Sequence, residues 1–348
     1  MHGARLEKPG NLVLFRADGG PQIGMGHVVR CLALACALDL PAVFLSRPDG
    51  ATETMVCRAG FEYLALEESV SWSLLAEKLQ PAVLVVDTYR ISGEELAAIK
   101  MKVPVVVVID DLNDHHLPAH ILINGNITAP GLGYPPDKVL LLGPEYVLLR
   151  HCFRGLSAPA VPATARKILV TAGGGDPGGA TPRILAQLTG LDLHLRVALG
   201  PQFKTRAELE TWIGNISSTR GQTVVELLDN PDMAELMVWA DLALSTGGST
   251  LYELCAAGTP ALAVAVAGNQ VASAAALGEL GCIAYLGRLN GAGGEQGTMG
   301  LSFPDLRQAV QALAADPVRR AVMSRRGQSL VDGRGAERCA AVIKTMMK

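Results

Sequence analysis

Two runs in this chain leave few folds open. Residues 82–87 (AVLVVD) are apolar up to the closing Asp87, and 104–109 (PVVVVI) are apolar throughout. A strand with one face in water alternates apolar and polar residues. A strand that does not alternate must be covered on both faces, as in a parallel sheet flanked by helices. Around these runs, β-rich segments at 11–17, 41–45, 120–124 and 139–142 alternate with helical spacing near 27–40, 72–79 and 92–101. In the first of these helices Val28, Cys31, Leu32, Ala35 and Leu38 fall on one stripe. The pattern predicts a doubly wound, Rossmann-like α/β domain.

The pattern then repeats. Residues 155–166 (GLSAPAVPATAR) have small residues, two prolines and no periodicity, and read as a linker. Beyond it, strands are expected at 167–172, 193–199, 223–228, 241–245, 260–265 and 282–286. Helices are expected from about Gly179 and at 231–239, 249–257, 270–280, 304–314, 317–331 and 335–347. Residues 288–300 (RLNGAGGEQGTMG) read as a mobile loop. A length of 348 residues suits two such domains, 1–157 and 158–348, with the last helices free to pack back on the first. Ligands of this fold class bind at the carboxyl ends of the strands, so a cleft between two facing sheets is the expected site.

Composition excludes several classes. Thirty Lys and Arg against 33 Asp and Glu give a net charge of −3, which fits neither a nucleic-acid nor a polybasic membrane surface. No apolar run reaches the roughly 18 residues of a membrane helix, and Met1 to Gly10 lacks the apolar core of a signal peptide. Seven cysteines, none in a C-x-x-C pair, read as reduced thiols, so a cytoplasmic location is expected.

Glycine is in excess, 38 residues against about 7% on average, and its clusters follow strands. The first runs from Asp18 through Gly19, Gly20, Gly24 and Gly26 into a helix opening at or near His27. Such a turn lets backbone N–H groups meet an anion. The dinucleotide fingerprint fails, because Val29 stands where a third glycine is needed and the second strand ends in Ser46-Arg47. A P-loop is absent. A histidine at a helix N-terminus is held toward the neutral form and can serve as a general base; a capping contact is an equal alternative for His27. Asp18 fits a cap, a loop-organising acid or a catalytic partner.

The second cluster is Gly173-Gly174-Gly175-Asp176, at the equivalent place in the second domain. The third is Gly247-Gly248-Ser249-Thr250, at the start of a helix that ends at Gly258. Backbone amides and two hydroxyls there suit a diphosphate. A serine-hydrolase elbow is excluded, since Leu251 occupies its last glycine position. Glu253, one turn on, can accept from vicinal ribose hydroxyls. Asn269 and Gln270, at the next helix start, offer amides to sugar or phosphate oxygens.

Taken together, the stretches FRADGGPQIGMGHVVRCLALA (15–35), VVDTYR (85–90), VIDDL (108–112), LLGPEYVLLR (141–150), ILVTAGGGDP (168–177), MAELMVWADLALSTGGSTLYELCAAGTPAL (233–262) and AGNQ (267–270) resemble the sugar-nucleotide hydrolases of pseudaminic-acid biosynthesis and the spore-coat polysaccharide proteins of the same family. The G-G-S-T-x-x-E block is shared more widely, including with the lipid-linked GlcNAc transferase of cell-wall synthesis. The resemblance implies the two-domain glycosyltransferase-B fold, with UDP held mainly by the second domain. It implies metal-free, cofactor-free hydrolysis of a UDP-linked 2,4-diacetamido-2,4,6-trideoxy sugar, with inversion. Carried over by position, His27 is the base, with Asp18 and Tyr89 beside it. Gly26 and the loop before it, Gly24 included, border the diphosphate, Arg30 is a further substrate-binding residue, and Asp87 and Tyr89 meet sugar or water. Gly173, Gly174, Gly247, Gly248, Ser249 and Thr250 line the phosphate side, Glu253 the ribose, and Asn269 and Gln270 the sugar or diphosphate. Departures fall at Tyr252, at Asn124-Gly125-Asn126 and at Asp18-Gly19-Gly20-Pro21, where the family often has Trp, Asp-Gln-Asn and Asp-Ala-Ser.

Three other readings compete. An inverting glycosyltransferase would use the same UDP site and base with an acceptor hydroxyl. A metal site could be built on Asp110, Asp111, Asp114, His115, His116 and His120, although their spacing follows no compact ligand pattern. A non-catalytic sugar-nucleotide binder is the third. The expected partner is a UDP-sugar alone, with no nucleic acid and no membrane insertion. The sequence itself is silent on oligomeric state, and a monomer is the default.

Overall fold

The computed structural model describes residues 10–20, 23–66, 72–176, 179–200, 203–217, 223–289 and 303–348. Residues 290–300 of the expected loop, together with Pro21, Gln22 and Pro177 of the glycine clusters, lie outside them. The chain divides into two units, Met1–His151 with Arg334–Lys348, and Cys152–Gly333.

The first unit follows the order β1 (Val13–Ala17), α1 (Gly26–Leu38), β2 (Ala42–Ser46), α2 (Gly50–Arg58), β3 (Glu62–Ala65), α3 (Trp72–Leu79), β4 (Val83–Asp87), α4 (Gly93–Lys100), β5 (Val105–Ile109), β6 (Ile121–Asn124) and β7 (Val139–Leu142). Its seven strands form one parallel sheet in the order β3-β2-β1-β4-β5-β6-β7. The two unbroken apolar runs are β4 and β5, buried at every residue and central in the sheet. Alternate residues of β1 serve opposite faces: Val13 and Phe15 join α1 in one core, and Leu14 joins Val43, Leu84 and Val106 in the other. Two-sided burial is the physical reason these strands do not alternate.

The second unit runs β8 (Lys167–Thr171), α5 (Ala180–Leu188), β9 (His194–Leu199), α6 (Arg206–Ser217), β10 (Val224–Asp229), α7 (Met233–Trp239), β11 (Leu242–Ser245), α8 (Thr250–Ala257), β12 (Ala261–Ala265), α9 (Gly268–Glu279), β13 (Ala284–Arg288), α10 (Phe303–Ala314) and α11 (Pro317–Leu330). The sheet is again parallel, in the order β10-β9-β8-β11-β12-β13. The last helix, α12 (Gly335–Met346), belongs to the first unit. Its Ala336, Cys339, Ala340 and Ile343 are buried in the same core as α1. Among the described residues no helix is long and apolar enough to cross a membrane.

Both sheets reverse their winding at one place, between β1 and β4 and between β8 and β11. Loops leaving two adjacent strands in opposite directions open a crevice at the carboxyl ends, and this is where α/β sheets of this kind bind ligands.

Candidate active site

The crevice of the first unit is built by residues at the ends of four neighbouring strands. Asp18 follows β1, Asp87 ends β4, Asp110 and Asp111 follow β5, and Asn124 ends β6. Because all four strands are parallel, these polar residues gather at one edge of the sheet.

Helix α1 supplies the other half. His27, Arg30 and Cys31 stand at i, i+3 and i+4, one above another on a single helical face, and all three converge on Asp87. Its Oδ1 accepts from His27 Nδ1 at 2.6 Å and from Arg30 Nη2 at 2.7 Å. Its Oδ2 accepts from Arg30 Nε at 2.6 Å and from Cys31 Sγ at 3.6 Å. Burial opposes ionisation of this carboxyl, which is 1% exposed, but the Arg30 charge and the hydrogen bonds from Arg30 and His27 outweigh burial and hold it far below the usual carboxylate range. A carboxylate only accepts, so the hydrogen between His27 and Asp87 resides on Nδ1. The 3.2 Å approach of Arg30 Nη2 to the same Nδ1 is then a contact between two donors.

Arg30 spends its remaining edge on Asp111, with Nη1 and Nη2 each donating at 2.9 Å. Asp111 also accepts from Tyr89 Oη at 3.2 Å and from Asn126 Nδ2 at 3.0 Å. The Tyr89 ring stands edge-on to the His27 imidazole, centroids 5.0 Å apart and planes at 88°. Burial, reinforced by the Asp111 charge, pushes the Tyr89 hydroxyl well above its ordinary value, so it is a donor at neutral pH.

Asp18 is close in sequence to His27 but has other partners. Arg16 donates to it twice, at 2.6 and 2.9 Å, and Arg47 N and Thr88 Oγ1 add 3.1 and 3.0 Å bonds. The carboxylate partner of His27 is Asp87. Asp18 organises the loops after β1, β2 and β4. Gly19 lies under them, where a Cβ would come within 2.4 Å of Thr52 Oγ1. The sequence does not single out Asp111 and Asn126 as partners of this site; their signal is position, Asp111 just after β5, which neighbours β4, and Asn126 just after β6, the next strand along. The residues of the competing metal reading have other partners. Asp111 pairs with Arg30 and Asp110 accepts from Tyr134, while His115 contacts Asp114 and His120 Nδ1 accepts from Val106 N. Among the described residues no three or more His, Cys, Asp or Glu are grouped to hold a metal ion.

In the second unit the turn after β11 carries Gly247 and Gly248 at φ +90° and +77°, conformations glycine adopts freely. Gly248 and Ser249 are exposed at the mouth of α8. No side chain caps this helix, and the N–H groups of Gly248, Ser249 and Thr250 meet no acceptor among the described residues. Gln270 leans on this turn, 3.3 Å from where a Gly247 Cβ would stand, and its Oε1 accepts from Val266 N and Ala267 N at the start of α9. Asn269 is exposed beside it, and Glu253 is half-buried one turn into α8. The turn after β8 differs. Asp176 caps α5 itself, accepting from Ala180 N and Thr181 N at 2.8 Å each. Gly200 is the glycine needed for packing here, since a Cβ on it would lie 2.4 Å from the Gly174 carbonyl oxygen.

The two parallel sheets match the GT-B glycosyltransferase fold. MurG of Acinetobacter baumannii superposes with a TM-score of 0.67 over 97% of this chain and 100% of that one, at 16% identity. Anabaena HepE in complex with UDP gives 0.61 over 96% and 100%, at 14% identity. By sequence, the chain is similar to the spore coat polysaccharide biosynthesis protein SpsG of Bacillus subtilis, 24% identical over 345 residues, 95% of this chain and 97% of SpsG. It is 26% identical over 259 residues to the uncharacterized protein MJ1062 of Methanocaldococcus jannaschii, 70% of this chain but only 53% of that one, so it spans about half of this relative. A UDP-N-acetylglucosamine–N-acetylmuramyl-(pentapeptide) pyrophosphoryl-undecaprenol N-acetylglucosamine transferase of Xanthomonas campestris is 30% identical over 204 residues, 53% of this chain and 43% of the transferase. No family model matches the chain.

Proposed function

We propose that the protein is a nucleotide-sugar enzyme of polysaccharide biosynthesis that hydrolyses a UDP-linked 2,4-diacetamido-2,4,6-trideoxy sugar to UDP and free sugar. The observation that carries this reading is the His27–Asp87 pair at the crevice of the first sheet. With Nδ1–H donated to Asp87, Nε2 is the atom that takes a proton. It removes one from water as the water oxygen bonds to the anomeric carbon. The bond from that carbon to the β-phosphate oxygen breaks, its electron pair leaves with UDP, and the sugar inverts. Such a base supplies about 10²–10⁴ in rate.

Leaving-group charge is met by the uncapped N–H groups at α8. Glu253 takes the ribose hydroxyls, while Asn269 and the free amide of Gln270 take sugar or phosphate oxygens. Gly24 and Gly26 let the diphosphate approach α1. The likeness to SpsG along nearly the whole chain supports a place in polysaccharide synthesis, and the UDP held by HepE supports the nucleotide.

Transfer to an acceptor hydroxyl is the second reading, favoured by the 30% identity to the Xanthomonas transferase. Time-resolved NMR of the purified protein with candidate UDP-diacetamido sugars and no acceptor separates the two. Hydrolysis yields UDP and the inverted free sugar. UDP that appears only when an acceptor is added assigns transfer. An inert protein under both conditions overturns both readings.

A further inference from the structure

We propose that Arg30 and Asp111 are positioning residues that hold His27 in the tautomer and orientation of a base, rather than groups that bind substrate. The inference rests on the function proposed above for His27 and extends it to the residues behind the pair.

The geometry leaves Arg30 little to offer a ligand. Four of the five N–H donors of a guanidinium are spent, two on Asp87 and two on Asp111, at 2.6–2.9 Å. The guanidinium is therefore a planar spacer that fixes one carboxylate against the other. Asp111 is in turn fixed by Asn126 and by Tyr89, and the Tyr89 ring returns to the edge of the His27 imidazole. His27, Asp87, Arg30, Asp111 and Tyr89 thus form a closed circuit of contacts. The imidazole is held at Nδ1 by one end of it and by the perpendicular Tyr89 ring at the other.

The chemistry explains why a cation belongs behind Asp87. That carboxylate is 1% exposed, and a buried carboxylate without a permanent cation takes up a proton. Remove Arg30, and the Nδ1 proton passes to Asp87 Oδ1. Nε2 then takes a proton from water, the imidazole stays neutral, and Asp87 becomes a carboxylic acid donating to Nδ1. One proton is gained from solvent, and the lone pair now faces Asp87 instead of the reacting water.

The readout is ¹⁵N NMR of histidine-labelled protein, with steady-state kinetics beside it. Wild type shows His27 protonated on Nδ1 and bare on Nε2. Arg30→Gln shows the reverse, with kcat down by at least about 10² and KM unchanged, and Arg30→Lys restores the wild-type tautomer. Asp111→Asn, at a half-exposed position, lowers kcat with KM unchanged. A wild-type tautomer in Arg30→Gln overturns the proposal, as does a rise in KM with kcat intact in either variant. The tautomer is read without substrate. A protein that hydrolyses nothing yet shows the tautomer reversal therefore refutes the function assigned to His27, not the positioning by Arg30.

Discussion

Asp18 and Asp87 are two buried carboxylates one strand apart, each beside an arginine, and they do different work. Asp18 is neutralised by Arg16 and ties three loops together. Asp87 faces His27. Burial works against the charge on Asp18, but Arg16 and two further donors hold its carboxyl below the usual range. A carboxyl depressed in the folded state stabilises above its unfolded value of about 3.9 and loses that contribution as pH falls through the folded value. Asp18→Asn should therefore cost about 3–5 kcal/mol near pH 7, where it strands a buried Arg16. Denaturant melts should show the gap to wild type narrowing below about pH 4. His27 was legible from its glycine-rich approach and helix start. Its partner was not, because Asp87 lies 60 positions away and only the pairing of β1 with β4 makes them neighbours. Asp18, nearer along the chain, carries the same local signal without the contact.

Among the elements, those with a buried apolar stripe are legible and those without are not. The runs 82–87 and 104–109 announce β4 and β5. Three elements carry no such sign. Helix α2 buries only Thr52 and Val56, β3 is a four-residue edge strand with no deeply buried position, and α6 is largely polar. The second glycine turn resembles the third in sequence, yet Asp176 fills the helix mouth that Ser249 leaves open at α8. Asp176→Ala should cost about 0.5–2 kcal/mol in chemical denaturation through the lost cap, with UDP affinity unchanged by calorimetry. The glycine at the start of α12 is a packing requirement. A Cβ on Gly335 would lie 2.1 Å from the Val147 carbonyl oxygen, and one on Gly125 would lie 2.5 Å from Val147 Cα. The Val147 peptide is pinched between two glycines, and neither position has room for a side chain. Gly335→Ala should cost about 1–3 kcal/mol of overpacking, visible as a lowered Tm.

At the scale of the whole molecule, the proposed chemistry and the proposed nucleotide binding lie on different units, so mutations should separate them. His27→Ala should keep UDP affinity and lose at least about 10² in kcat. Gly248→Val forces a β-branched residue to φ +77° and should raise the Kd for UDP while leaving the His27 NMR signals unmoved. Equal loss of UDP affinity in both variants would remove this division of labour. The placement of α12 bears on how the protein comes into being. A ribosome releases a chain from its amino end, and domains generally fold as units while it does so. Residues 152–333 are synthesised before α12 can seat Cys339, Ala340 and Ile343 against α1. The unit that is begun first is the one finished last. Until then the nascent chain carries an open apolar groove along the helix that bears His27.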